Sequence, residues 1–218
     1  ATTIDIAGSV TATFNDAITA TTIALNGSSN LTISYTGAIT IAGNITDTST
    51  SNEINVLFAT ADTAPSLVTF SGAAVAADTI NIGSTTKAGK ATFSGSTGVT
   101  ATTLTIAGGD HENEDSTATF NDNLTATIVL DDNTGDAKII FATTNNATIT
   151  GTINGSATTE GTLQITGATK TFSGAIGTTE ALTLIDVDNA AIFDGSIEAT
   201  TLSVAASNYA LELNGAAN

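Results

Sequence analysis

Cysteine, methionine, tryptophan and arginine are all missing from these 218 residues, and proline occurs once, at Pro65. Without cysteine there are no disulfides, no thiolate metal sites and no cysteine nucleophile, so stability has to come from packing and hydrogen-bonded ladders. Positive charge is scarce as well: Lys87, Lys90, Lys138 and Lys170 stand against 21 acids, for a net charge of -17. Such a chain repels nucleic acid and anionic lipid and attracts cations, which excludes nucleic-acid binding as a function. Aromatic residues make up 5% and charged residues 11%, the latter well below the quarter or so of an ordinary globular protein. No apolar run approaches the roughly 18–20 residues needed to cross a bilayer, so no membrane span is expected. The first residues, Ala1-Thr2-Thr3-Ile4, have no basic region leading into an apolar core, and the lack of an initiating methionine suggests a processed or excised chain.

Thr, Ala, Gly, Ser, Asn and Ile dominate what is present. With 41% hydrophobic residues, a mean hydropathy of +0.24 and many β-branched side chains, the chain is not a disordered polar tract. A short motif recurs: apolar, small polar, Gly or Asp, any residue, apolar. Its copies start at Phe14, Tyr35, Phe70, Phe93, Phe120, Ile149, Phe172, Phe193 and Leu213. The third position is Gly in seven copies and Asp in the others, Asp16 and Asp122. Those residues take positive φ or close a turn through a side-chain bond, which predicts a sharp corner at every copy. The apolar residue at the start of each copy is expected to point inward and stack on its equivalent in the next repeat.

Between the motifs run stretches with apolar residues two apart, such as Ile80 and Ile82, Leu104 and Ile106, Ile128 and Leu130. A spacing of two places these side chains on one face of a strand. Successive motifs begin 21, 35, 23, 27, 29, 23, 21 and 20 residues apart, too close for propeller blades and suited to one turn of a solenoid. The expected fold is therefore all-β: a parallel β-helix, or β-solenoid, of about eight to nine coils with uncapped ends, forming a single domain over 1–218. The 35-residue step predicts a loop insertion at 46–66, where Pro65 lies, and a second is expected at 108–116 around His111. No stretch has the 3.6-residue period of a helix. Lys170, two before Phe172, sits where other copies carry an apolar residue, and a core position there would mean that the register is wrong.

The two ends of the chain match each other. Leu213–Asn218 followed by Ala1–Ile6 aligns without gaps on Phe193–Val204, as if one coil were split between the termini. Uncapped solenoid ends leave unpaired backbone groups and an apolar cross-section. This predicts either head-to-tail stacking of copies or excision from a longer array, with Ala1, Thr2, Thr3, Ile4, Ile6, Leu211, Leu213 and Gly215 as the self-assembly ends.

The phrases Ala118–Thr127, Thr171–Gly177 and Ala191–Leu202 resemble the β-strand repeats of bacterial surface proteins: autotransporter passengers, haemagglutinin-like adhesins and S-layer proteins of β-solenoid type. The resemblance spans nearly the whole chain and implies export, a β-solenoid and a cell-surface or filament role. The sequence shows neither a membrane barrel nor an anchor.

Several residues are candidates for chemistry. Asp110, Glu112, Glu114 and Asp115 in one segment, and Asp131, Asp132 and Asp136 in another, have the carboxylates that suit Ca2+. Neither segment has EF-hand spacing, so solvated acidic loops are the competing explanation. His111 stands alone among acids. Asp186, Asp188 and Asp194 form a possible carboxylate group with no arginine to stabilise a developing anion. Thr-x-Thr pairs such as Thr103 and Thr105 could form ranks that order water, or simply suit strand surfaces. Six Asn-x-Ser/Thr triplets begin at Asn26, Asn30, Asn44, Asn123, Asn146 and Asn154 and could accept glycans. The expected function is that of an extracellular, non-enzymatic structural protein that self-assembles head to tail as a filament or surface-layer subunit. Copies of itself and a cell-surface glycan or lattice would be its partners, with Ca2+ bridging neighbouring chains as the candidate ion. The alternatives are an adhesion module of a larger surface protein and, less favoured, an ice-binding protein.

Overall fold

A computed structural model describes residues 2–60, 63–142, 144–205 and 209–216. The strand Ser116–Phe120 shows how the sequence makes each wall. Ala118 and Phe120 are buried, while Thr117 and Thr119 between them are half-buried on the outside. β-branched residues fit this pleated, one-side-covered surface, and alternation sends every second side chain inward.

The strands pair in parallel, each with the corresponding strand of the coils before and after it, and together they build three walls. Wall I has ten rungs, Ile4, Ile23, Ile45, Val75, Val99, Leu124, Ile149, Phe172, Phe193 and Leu213, which bound nine turns. Wall II runs from Ala12 through Leu31, Ile54, Ile80, Leu104, Ile128 and Ile153 to Ile176 and Ile197. Wall III runs from Ile18 through Ile41, Phe70, Phe93, Phe120, Phe141, Ile165 and Val187 to Val204. The chain is thus the expected β-solenoid, and at about 4.8 Å per coil its nine turns extend roughly 43 Å. The inward side chains of all three walls join in one continuous apolar core.

The recurring motif does mark corners, but it does not stay at one corner. At Phe14 and Tyr35 it turns the chain from wall II to wall III; at Phe70, Phe93 and Phe120 from III to I; at Ile149, Phe172 and Phe193 from I to II; the copy at Leu213 ends the last wall I strand. The two longest steps in motif spacing, 35 and 29 residues, fall where the motif moves on by one corner. The expectation that all nine motif residues stack as equivalents is corrected accordingly. Phe70, Phe93, Phe120 and Phe141 stack on wall III with ring centroids 4.8, 4.8 and 5.8 Å apart. Phe141 then meets Phe172 edge-on at 5.4 Å, and the column passes to wall I, where Phe172 and Phe193 stack at 5.1 Å.

The predicted insertion at 46–66 is also revised. Its middle is the regular wall II strand Glu53–Phe58, with Ile54, Val56 and Phe58 buried. The extra length lies after that strand, at a corner where the coils on either side are bonded directly. Phe58 donates its N–H to Ala88 O at 2.8 Å, and Tyr35, two coils back, accepts the Lys90 N–H on its Oη at 2.9 Å. Burial pushes the Tyr35 phenol up to about 12, opposed by that backbone bond. The second expected insertion is present as a connection over 108–115 that leads into the strand Ser116–Phe120.

Glycine at the third motif position has a different cause from the one expected. Of those seven glycines only Gly151 has positive φ, at 113°. Five of the others, Gly72, Gly95, Gly174, Gly195 and Gly215, are needed because coils touch there: a Cβ on Gly174 would lie 1.9 Å from Gly151 O, and one on Gly195 2.3 Å from Gly174 O. Gly37 has open space at the same motif position. Gly174→Ala is therefore expected to lower unfolding stability in urea by about 1–3 kcal/mol through overpacking, whereas Gly37→Ala changes it by less than about 0.5 kcal/mol. Equal effects at the two positions would refute close coil contact as the reason for the glycine.

Candidate functional site

Connections of five or more residues follow wall II in five successive coils, over 84–89, 108–115, 132–136, 156–161 and 177–181. They form a ridge along the corner between walls II and III. Both acidic segments lie on it, one coil apart. The loops are bonded to each other: Gly135 N donates to Gly109 O at 3.0 Å, and Ser116 N to Asp136 O at 2.8 Å.

Carboxylates on this ridge act mainly as caps. Asp132 accepts Ala137 N at 2.6 Å and Gly161 N at 2.8 Å. Asp115 accepts Asp136 N at 3.0 Å, and Asp131 accepts Ser156 Oγ at 2.7 Å. Burial raises the Asp132 carboxyl above its ordinary range against the pull of its two N–H donors, and the nearby charges of Asp136 and Glu160 add to the rise. Asp110, Glu112 and Asp136 are exposed, and Glu114 is buried. Among the described residues no three acids or histidines come together in a group that could hold a metal ion. The ridge supplies negative charge and oxygen donors without a gathered Ca2+ cage. His111 is half-buried on the same loop, where its carbonyl accepts Glu114 N at 2.9 Å.

The carboxylates expected near the end of the chain divide. Gln164 Nε2 donates to Asp188 at 2.8 Å and Asp186 at 3.3 Å. Asp194 lies at the corner between walls I and II and accepts Asn214 Nδ2 at 2.8 Å. The three therefore do not share one site.

Threonines do form columns in register. Thr100, Thr125 and Thr150 follow one another on wall I. On wall II, the column through Thr79, Thr103 and Thr127 also contains Thr11, Asn30 and Glu53. The glycosylation-like triplets have a structural origin at three positions. Asn44, Asn123 and Asn154 each accept a backbone N–H from the following coil, at Ala73, Thr148 and Thr179, with lengths of 2.8, 2.8 and 3.1 Å. The asparagine caps the next corner, and the Thr or Ser two residues on faces outward or starts the next connection.

Comparison with protein-family models, with curated proteins and with solved structures finds no match. No helix long and apolar enough to cross a membrane occurs among the described residues. The geometry of the chain is therefore the basis for any function.

Of the proposed assembly ends, Ala1 lies outside the described residues. Ile4 and Ile6 belong to Thr3–Ala7, and Leu211 and Leu213 to Leu211–Leu213; among the described residues each of these strands pairs on one side only. Both lie on wall I, whereas the end-to-start alignment equates Ile4 and Ile6 with Leu202 and Val204 of wall III. The match between termini is one of motif, not of wall. Thr2 O accepts Thr21 N at 2.8 Å, and a Cβ on Gly215 would lie 2.2 Å from Gly195 O.

Asn52 and Ser116 are among the buried polar residues that escaped the sequence argument. Asn52 accepts Ser29 N at 2.7 Å and donates to Leu25 O at 3.2 Å and Ser49 Oγ at 2.9 Å. Ser116 Oγ donates to Ala107 O at 2.5 Å and accepts Gly89 N at 2.9 Å. Both sit in polar stretches with no pattern to distinguish them from solvated loops.

Lys170 answers the question of register. Its position is a core one, paired with Ala147 and Ala191, and the register holds because the side chain carries its ammonium out to carbonyls. Nζ donates to Asn145 O at 3.3 Å and to Ala168 O. Desolvation lowers its pKa from the usual 10.5. Between that lowered value and the ordinary one, the unfolded chain binds more protons than the folded one, so this group makes stability rise with pH over that window. Lys170→Met should flatten that rise in unfolding experiments run from neutral to alkaline pH; an unchanged slope would show that Lys170 is not its source.

Proposed function

We propose that the chain is an extracellular, non-enzymatic structural solenoid that lengthens by stacking coil on coil, head to tail, as part of a filament or surface layer. The observation that carries this reading is the surface at the last coil. Leu202, Val204 and Leu213 are 39%, 45% and 42% exposed, although their ladder equivalents Ile185, Val187 and Phe193 are buried. A further coil would bury them and pair the open strand edges of Ala199–Val204 and Leu211–Leu213. That coil can come from a second copy or from the same polypeptide. The extracellular setting is supported by the cysteine-free, lysine-poor composition and by the resemblance to surface repeats.

A second reading is favoured by the ridge: an adhesive module within a longer surface solenoid. Insertions gathered along one side of a repeat protein often make its binding face, and the loops between walls II and III are gathered in this way.

Sedimentation velocity and negative-stain microscopy separate these readings. Head-to-tail stacking predicts concentration-dependent rods whose lengths are multiples of roughly 43 Å. Replacing Leu202, Val204 and Leu213 by Asp should leave circular dichroism unchanged and hold the protein as a monomer. Wild-type chain that stays monomeric at every concentration, with and without Ca2+, would rule out self-stacking and leave the adhesive module standing.

A further inference from the structure

A chain wound around three walls leaves a step at its last coil. Wall I has ten rungs, ending at Leu213, whereas wall III has nine, ending at Val204. On wall II the step is taken up by Ala216, whose carbonyl accepts the Ile197 N–H at 2.9 Å. The place left open is therefore one strand wide and lies on wall III, above Ala199–Val204. A second copy stacked with its walls in the same positions would lay Ile4 over Leu213 and leave this place empty, with an unpaired strand edge on either side of it. The first strand of the chain has the sequence that the place calls for. Thr3-Ile4-Asp5-Ile6 stands against Thr201-Leu202-Ser203-Val204, although Thr3–Ala7 belongs to wall I of its own chain.

We propose that Thr3–Ala7 of a second copy fills this place, so that successive copies in the stack are turned by one wall about the common axis. The inference rests on the head-to-tail stacking read above and fixes the geometry of its junction. With Thr3–Ala7 continuing wall III, Thr11–Phe14 continues wall I and Ile18 continues wall II. Both fit by sequence. Ala12-Thr13-Phe14-Asn15-Asp16 has the pattern of Leu211-Glu212-Leu213-Asn214-Gly215, and Ile18 follows Phe14 at the interval by which Ile197 follows Phe193. Apolar columns then cross the junction unbroken: Val187 and Val204 lead to Ile6, and Phe193 and Leu213 lead to Phe14. On the outside Ser203 meets Asp5 and Glu212 meets Thr13, so acids do not stack on acids, which would be destabilising. The drift of the corner motif leads to the same turn independently. Within one chain the motif moves on by a corner twice, and the turn places Phe14 of the next copy on the wall of Ile149, Phe172, Phe193 and Leu213. A head-to-tail contact of this kind does not close on itself and gives an open helical filament.

The cysteine-free chain allows a direct test by disulfide trapping. Asp5→Cys/Ser203→Cys places thiols on residues that the turned junction sets side by side, about 4.8 Å apart at Cα, a separation that a disulfide spans. Thr3→Cys/Glu212→Cys does the same for a junction without the turn, because Thr3 and Glu212 share one outward column of wall I. All four residues are exposed. Each pair is divided between the first and last coils, so a link within one chain is out of reach. After mild oxidation at a concentration where sedimentation shows stacking, the first variant should give a ladder of disulfide-linked multimers on non-reducing gels. Its yield should exceed that of the second on the order of tenfold, since only the first pair is held in contact. A ladder from the second variant alone, equal ladders from both, or stacking without a ladder from the first would overturn the turned junction and leave stacking itself intact. Wild-type chain that never stacks in sedimentation would remove the stacking reading and the junction together.

Discussion

Parallel stacking at one strand spacing, about 4.8 Å, governs everything else in this molecule. Each coil must place its backbone against the coil before it on three walls, so every corner has to turn within the same small cross-section. At the corners the backbones meet most closely, and glycine is required there by contact with the carbonyl of the preceding coil, as at Gly174 and Gly195. On the walls, the same spacing brings Phe70, Phe93 and Phe120 to centroid distances of 4.8 Å, a separation at which parallel rings pack well. One repeat distance therefore sets both where side chains are excluded and where large ones stack.

Polar groups follow from this constraint. A corner leaves backbone N–H groups unpaired, and unpaired buried donors are costly. Asn44, Asn123 and Asn154 answer that need by reaching to the next coil, as Asp132 does on the ridge. Much of the acidic and amide inventory is consumed in holding turns, which explains why carboxylates abundant in sequence do not gather into a metal cage among the described residues. Outside these caps stand the outward lysines, the columns of threonine and the open apolar surface of the last coil.

The fold class was legible because it depends on local signals that repeat. Alternating apolar residues such as Ile80 and Ile82, and Gly or Asp at fixed offsets, report strands and corners wherever they occur. Lys170 shows where that logic stopped: a charge at a core position suggested a slipped register, yet a long flexible stem lets the ammonium reach carbonyls at a corner. Asn52 and Ser116 were invisible for the opposite reason, since a buried capping residue and a solvated loop residue look the same in a polar stretch.

Sequence by itself determined that the chain is all-β, coiled, rich in outward threonine and poor in cations, since composition and a period of two are properties of neighbouring residues. Which wall each motif belongs to was decided only by the tertiary structure. The corner motif has the same form whether it joins walls II and III at Phe14, III and I at Phe93, or I and II at Phe172. The three corners are physically alike, each a tight turn between two short strands, so one pentapeptide serves all of them. Only the long-range pairing between coils distinguishes them, and with it the placement of Lys90 and Lys138 in one column.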